Sequence, residues 1–298
     1  MSADERAVAA YLGLALGDAL GATVEFMTPR EIAATYGVHD EIRGGGWLRL
    51  RPGAVTDDTT MSLALGEAIL AGDGTVDALR AAQAFDQWMR GKPVDVGNTV
   101  RHGILHFRQT GQPHVPPNPH AAGNGACMRV LPVAIATLGH CAAEVSQAVI
   151  AQAHVTHNHP LSDAGAVCLT RMVQRALYGE DKMALLHDEV WPLVQNFPEF
   201  RFRGPREENP SGYVVHTLRA VFQALFDTDT FEACLIEVVN RGGDADTTGA
   251  IAGMIAGALY GPEALPARWL RRLDAEIHRR CTEQARALFL RAPAARAG

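Results

Sequence analysis

Asn240-Arg-Gly-Gly-Asp-Ala-Asp-Thr-Thr-Gly249 runs directly into Ala250-Ile-Ala-Gly-Met-Ile-Ala-Gly-Ala-Leu-Tyr260. Asp244 and Asp246 stand two residues apart, hydroxyls follow at Thr247 and Thr248, and glycines lie on both sides. Acidic and hydroxyl groups just ahead of an almost uncharged run read as a helix N-terminus, with Thr247 or Thr248 expected as the N-cap. The helix dipole favours a carboxylate there by only about 0.3–1 kcal/mol. That does not offset burying two charges among apolar neighbours, so a buried pair calls for a cation. An EF-hand would use Asp244, Asp246 and Gly249 at its positions 1, 3 and 6. Its position 12 requires a bidentate Glu and is Ile255 here, so that reading is rejected.

Val55-Thr-Asp-Asp-Thr-Thr-Met-Ser-Leu-Ala64 repeats the signature. One acidic helix start is ordinarily a plain cap. Two of them, both rich in Thr and Asp and both opening alanine-rich helices, point to a shared site if they face each other. Four carboxylates with several hydroxyls form a hard oxygen set that suits Mg²⁺ or Mn²⁺ better than Zn²⁺.

The composition bounds the rest. A chain of 298 residues with 47% hydrophobic and 20% charged residues can bury a sizeable core. A net charge of −6 argues against a general nucleic-acid binder. Five cysteines without a C-x-x-C pair suggest reduced thiols and a cytoplasmic setting. The N-terminus lacks the basic and apolar regions of a signal peptide. The apolar run from Thr247 to Tyr260 is shorter than the roughly 20 residues that span a bilayer.

Helices are expected at about 4–21, 58–72, 76–90, 98–109, 125–138, 142–153, 161–178, 182–193, 213–225, 230–240, 247–260 and 274–291. Residues 22–56, 110–124 and 196–212 read as loops, and period-2 strand patterns are nearly absent. The expected fold is all-α, a compact single domain over 1–298. Gly13, Gly17 and Gly21 are spaced by four, as are Gly249, Gly253, Gly257 and Gly261. Each glycine costs a helix roughly 1 kcal/mol relative to Ala, so two such stripes predict a central pair of helices in close backbone approach.

Other candidates are weaker alone. Asp95 is an acid or base, or simply a cap, and Asn98 and Thr99 are polar contacts or caps. Gly123-Asn124-Gly125 at a helix start offers backbone N–H groups to an anion, without the third glycine or preceding strand of a dinucleotide fingerprint. His154, His157 and His159 lack zinc partners at the right spacing; they read as a helix end with one His open to a ligand. His102 and His106 read as helix surface or core. Glu25, usually a solvated type, falls near the acidic site if the glycine helices pack together.

Together these residues resemble the ADP-ribosylglycohydrolase family. The resemblance rests on Gly13-Leu-Ala-Leu-Gly-Asp-Ala-Leu-Gly21 with Glu25, Thr56-Asp-Asp-Thr59, Gly123-Asn-Gly-Ala126, Thr156-His157 and Gly242-Gly-Asp-Ala-Asp-Thr-Thr-Gly249. These occur in the family's order and cover nearly the whole chain. The resemblance implies an orthogonal multi-helix bundle with two divalent cations, Mn²⁺ or Mg²⁺. It implies Thr56, Asp57, Asp58, Asp244, Asp246 and Thr247 as metal ligands, and Asp95 with Glu25 as the catalytic pair. Gly97, Asn98, Thr99, Gly123, Asn124, Gly125, His157 and Tyr213 would contact the substrate.

The implied reaction removes ADP-ribose from a modified arginine by cleaving an N-glycosidic bond. Lys92-Pro-Val-Asp-Val-Gly-Asn-Thr99 resembles the nitrogen-fixation branch of the family. That branch implies the nitrogenase iron protein as target, with a PII signalling protein and an ammonium-channel complex as partners at the inner membrane. Rival readings are a non-catalytic ADP-ribose sensor and a metal-dependent nucleotide phosphohydrolase.

Overall fold

In the computed structural model, the first long helix, α1 (Ala3–Gly21), lies antiparallel against a helix near the far end of the chain. The glycines are the reason. A methyl group at Gly13, Gly17 or Gly21 would overlap the carbonyl of Gly253, Gly249 or Ala245, and one at Gly257 would overlap that of Ala9. The two backbones therefore touch directly, and any side chain at these positions would force them apart. Gly261 does not belong to the stripe. It ends the late helix at φ 81°, a left-handed position that favours glycine.

The structure describes residues 1–296; positions 297 and 298 of the expected domain lie outside the described residues. After α1 come α2 (Pro29–Tyr36), α3 (Asp57–Ala71), α4 (Ala78–Arg90), α5 (Asn98–Thr110), α6 (Gly125–Met128), α7 (Leu131–Ala136) and α8 (Ala142–Ala153). Next are α9 (Pro160–Leu177), α10 (Lys182–Leu185), α11 (Trp191–Asn196), α12 (Val214–Asp227), α13 (Phe231–Val239) and α14 (Ala245–Tyr260). The chain closes with α15 (Ala267–Leu270), α16 (Ala275–Arg291) and α17 (Pro293–Arg296). No strand occurs among the described residues, only two isolated bridges, so the all-α expectation holds. α1 and α14 form the spine, with α9, α12 and α13 against α14 and α16 against α1. No helix among the described residues is long and apolar enough to cross a membrane.

Four local expectations need correction. The segment expected to be irregular at 22–56 contains α2, started by a capping box between Thr28 and Glu31 with Pro29 in the first turn. The helix expected at 125–138 is split into α6 and α7. Pro132 has no N–H to give the Met128 carbonyl, so the first piece stops there. The helix expected at 182–193 carries a π segment at Leu186–Val190 just before Pro192. Finally, the N-cap of α14 is Asp244 rather than Thr247 or Thr248. Gly242 and Gly243, at φ 69° and 64°, turn the chain sharply enough for the helix to begin earlier.

Candidate metal centre and ligand cleft

The antiparallel spine decides which ends meet. The C-terminal end of α1 comes beside the N-terminal end of α14, so Glu25, in the turn after α1, reaches the acidic pair. Glu25, Asp244 and Asp246 each offer a carboxylate oxygen within 4.8 Å of the others. α3 brings the second acidic start to the same place. Thr56 Oγ1 donates towards Asp58 Oδ2 at 3.2 Å and Asp246 Oδ2 at 3.3 Å, and Thr247 Oγ1 donates to Asp58 Oδ2 at 3.3 Å.

Asp18 holds α3 in this position, and the sequence reading did not single it out. Thr56 begins α3 without a side-chain cap of its own. The buried Asp18 carboxylate supplies the cap from α1, accepting from Thr56 N at 2.9 Å, Thr59 N at 3.1 Å and Thr59 Oγ1 at 2.5 Å. A lone carboxylate in the otherwise uncharged stretch of α1 after Arg6 was the available signal.

A cleft of about 340 Å³ opens over this cluster. Its walls include Glu25, Asp57, Asp95, Asp244, Asp246 and Thr247, with Gly97, Asn98 and Thr99 on one side and Gly123, Asn124, Gly125 and His157 on another. Thr56 and Asp58 lie beneath it, fully buried. Tyr213 is outside the lining and partly exposed; its backbone pairs with Gly123 at the rim.

The other candidates take local roles. α5 has Gly97 as its N-cap and no side-chain cap bond, so Asn98 and Thr99 are not its caps. Asp95 Oδ1 accepts from Val96 N at 2.7 Å. His154 pairs with Asp163 at 2.9 Å, and His159 caps α9. Asn124 is more committed than a free anion loop would be. Its Nδ2 donates to Asp244 Oδ2 at 2.5 Å and Thr217 Oγ1 at 2.9 Å, and its N–H goes to Gly212 O at 3.0 Å.

The electrostatics fit a cation. Burial pushes the carboxyls of Asp58 and Asp246 well above the usual carboxylate range, with neighbouring carboxylates adding to it. Burial, then the charges of Asp95 and Asp18, raises Asp57 to about 7. Burial also raises Glu25 to about 8 despite the hydrogen bond from Trp47 Nε1 at 2.6 Å; the charges of Asp244, Asp95 and Asp57 act in the same direction. No Lys or Arg lines the cleft among the described residues. Asp58 Oδ1 is buried with no hydrogen-bond partner, an orphan that a cation would satisfy. The donor set is all oxygen, as hard divalent ions require.

A pH dependence follows. Glu25 and Asp57 have folded values above their ordinary 4.5 and 3.8. Without metal, the folded state keeps protons that the unfolded chain releases. Its stability is greatest below the unfolded values and is lost as pH rises towards the folded ones. Bound cations remove that penalty. The Tm gap between Mn²⁺-loaded and EDTA-treated protein should therefore widen from about pH 5 to about pH 8, as differential scanning fluorimetry can read. A gap independent of pH would contradict this origin.

The comparisons with known proteins agree with the architecture. The family model described as ADP-ribosylglycohydrolase matches residues 1–297. The ADP-ribosyl-[dinitrogen reductase] glycohydrolase of Rhodospirillum rubrum is 51% identical, over 97% of this chain and 97% of that protein. The ADP-ribosylarginine hydrolase Tri1 of Pseudomonas putida is 34% identical, over 97% of this chain and 79% of that one. A solved structure described as an ADP-ribosylglycohydrolase-related protein complex superposes with a TM-score of 0.85 at 34% identity, covering 97% and 98% of the two chains. With the family model spanning almost every residue, this chain belongs to the ADP-ribosylglycohydrolase family.

Proposed function

We propose that this single-domain chain hydrolyses the N-glycosidic bond between ADP-ribose and an arginine of a target protein. The observation that carries the reading is one cleft. It combines a cation-seeking carboxylate cluster that includes Glu25, a glycine loop and one further carboxylate, Asp95. Thr56, Asp57, Asp58, Asp244, Asp246 and Thr247 would hold two divalent cations, Mn²⁺ or Mg²⁺. Those ions would supply Lewis-acid charge beside the ribose.

The protein's own groups do the rest. Gly97, Asn98 and Thr99 line the side next to Asp95 and would orient the distal ribose; Gly123, Gly125 and His157 would face the diphosphate, with Tyr213 at its rim. As the bond breaks, positive charge develops on the ribose, and the carboxylates of Asp95 and Glu25 stabilise it electrostatically. Asp95 Oδ1 is held by Val96 N–H, leaving Oδ2 to take the proton from the attacking water. Glu25 has one oxygen anchored by Trp47 and is the second candidate for that proton. The guanidine leaves and takes up the proton that the carboxylate received from water, giving free ADP-ribose and unmodified arginine.

The similarity to the Rhodospirillum rubrum protein, 51% identical along the chain, supports the nitrogenase iron protein as the target. Regulation through a PII protein and an ammonium channel, with the chain cytoplasmic and peripheral at the inner membrane, goes with that target. The test is release of ADP-ribose from ADP-ribosylated arginine with added Mn²⁺ and with EDTA. Metal-dependent release of intact ADP-ribose is expected. Binding without release would make the chain a sensor, and released phosphate or AMP would make it a phosphohydrolase.

A further inference from the structure

We propose that Arg129 and Thr156 are a buried positioning pair that fixes His157 as the Nε2–H tautomer, aiming a neutral N–H at an acceptor oxygen of the ligand beside Gly123 and Gly125. The inference rests on the reading of this cleft as the ADP-ribose site. Arg129 is fully buried. Among the described residues no carboxylate pairs with it. Its Nε donates to Gln152 Oε1 at 2.7 Å, and its Nη2 donates to Gln152 O at 2.9 Å and Thr156 Oγ1 at 2.8 Å. The guanidinium also lies 4.5 Å over the Phe85 ring.

A guanidinium only donates, so Thr156 Oγ1 is the acceptor in that bond. The Thr156 hydroxyl proton then needs its own acceptor. Thr156 is buried, and His157 Nδ1 stands 2.7 Å from Oγ1. Buried hydroxyls are rarely left unpaired, so the proton points at Nδ1, which must be the unprotonated nitrogen. In a neutral imidazole the remaining proton is on Nε2. Burial, with the Arg129 charge beside it, lowers His157 to about 3, so the ring stays neutral.

Nε2 has no protein partner among the described residues, and the ring lines the cleft. A methyl at Gly123 would come within 2.9 Å of Nε2, and one at Gly125 within 2.7 Å of Cε1. These two glycines thus leave the imidazole edge uncovered. The ligand group it fits is a phosphate or hydroxyl oxygen. Against a phosphate oxygen, which has no proton to donate, the opposite tautomer would present a lone pair and repel it.

The tautomer can be read by long-range ¹H–¹⁵N NMR of the full chain, with His157 assigned by the loss of its signals in His157→Gln. ADP-ribose affinity is measured alongside by calorimetry. The unaltered chain and Thr156→Ser should both show Nε2–H and similar affinity. Thr156→Val should lose the fixed tautomer and weaken ADP-ribose binding by about tenfold. An Nδ1–H tautomer in the unaltered chain overturns the proposal, as does unchanged affinity in Thr156→Val. If Thr156→Val does not fold, the unaltered chain and Thr156→Ser still decide the tautomer. Should the unaltered chain not bind ADP-ribose, the reading of the cleft fails instead. Binding with the wrong tautomer leaves that reading intact and removes only this inference.

Discussion

Asp246→Ala should lose one divalent cation per chain and reduce ADP-ribose release by about 10³-fold, roughly 4 kcal/mol of barrier. Asp246 is buried in the first turn of α14 and shares the Thr56 hydroxyl with Asp58 across the junction with α3. Burial disfavours its charge, and so do Asp58, Glu25 and Asp244. No protein cation in the cleft offsets this. A bound ion makes such a cluster favourable in its charged form, and each carboxylate removed weakens the grip on that ion. Metal analysis after gel filtration gives the count, and turnover in saturating Mn²⁺ gives the loss.

A control separates ligand loss from misfolding. In EDTA the variant should melt no lower than the unaltered chain, because a buried, mutually repelling carboxylate has gone. An unchanged metal count would break the ligand assignment.

Asp95→Asn should behave in the opposite way. Turnover should fall by about 10²–10⁴-fold, the usual contribution of a positioned acid or base, while the metal count and KM stay close to their original values. The asparagine keeps the shape of the side chain and an oxygen to accept from Val96 N–H, but it cannot take a proton. Asp95 lines the cleft and its charge is felt by Asp57, Glu25 and Asp244, which places it beside the cluster without belonging to it. Single-turnover release of ADP-ribose from ADP-ribosylated arginine measures the effect. Turnover within a few-fold of the original would remove Asp95 from the reaction and leave Glu25 as the candidate.

The two acidic helix starts were legible in the sequence because each is a local pattern: glycine turn, carboxylates, hydroxyls, then an apolar helix. The glycine stripes were legible for a similar reason. Glycine every fourth residue weakens a helix unless another backbone needs that face, and the clash of any added methyl with the opposing carbonyls shows that it does. The exact start of α14 was less legible. The chain reversal at Gly242 and Gly243 depends on left-handed backbone angles that residue names alone do not give. The break at Pro132 and the π segment ahead of Pro192 followed a local rule, the missing N–H, which a continuous apolar pattern obscured.

By itself, then, the sequence determined an all-α chain, two helix starts able to share cations, and the family to which they belong. Which groups serve one another was decided by the tertiary structure. Asp18 caps a helix 38 residues further along the chain. Asn124 holds Asp244 from 120 residues away, and Trp47 anchors Glu25 from a loop with no motif. Hydrogen bonds between distant side chains depend on where helices cross, and those crossings are set by packing against the whole core. Local patterns describe what each helix end carries; the touching backbones of α1 and α14, with the Asp18 cap on α3, bring those ends to one cleft.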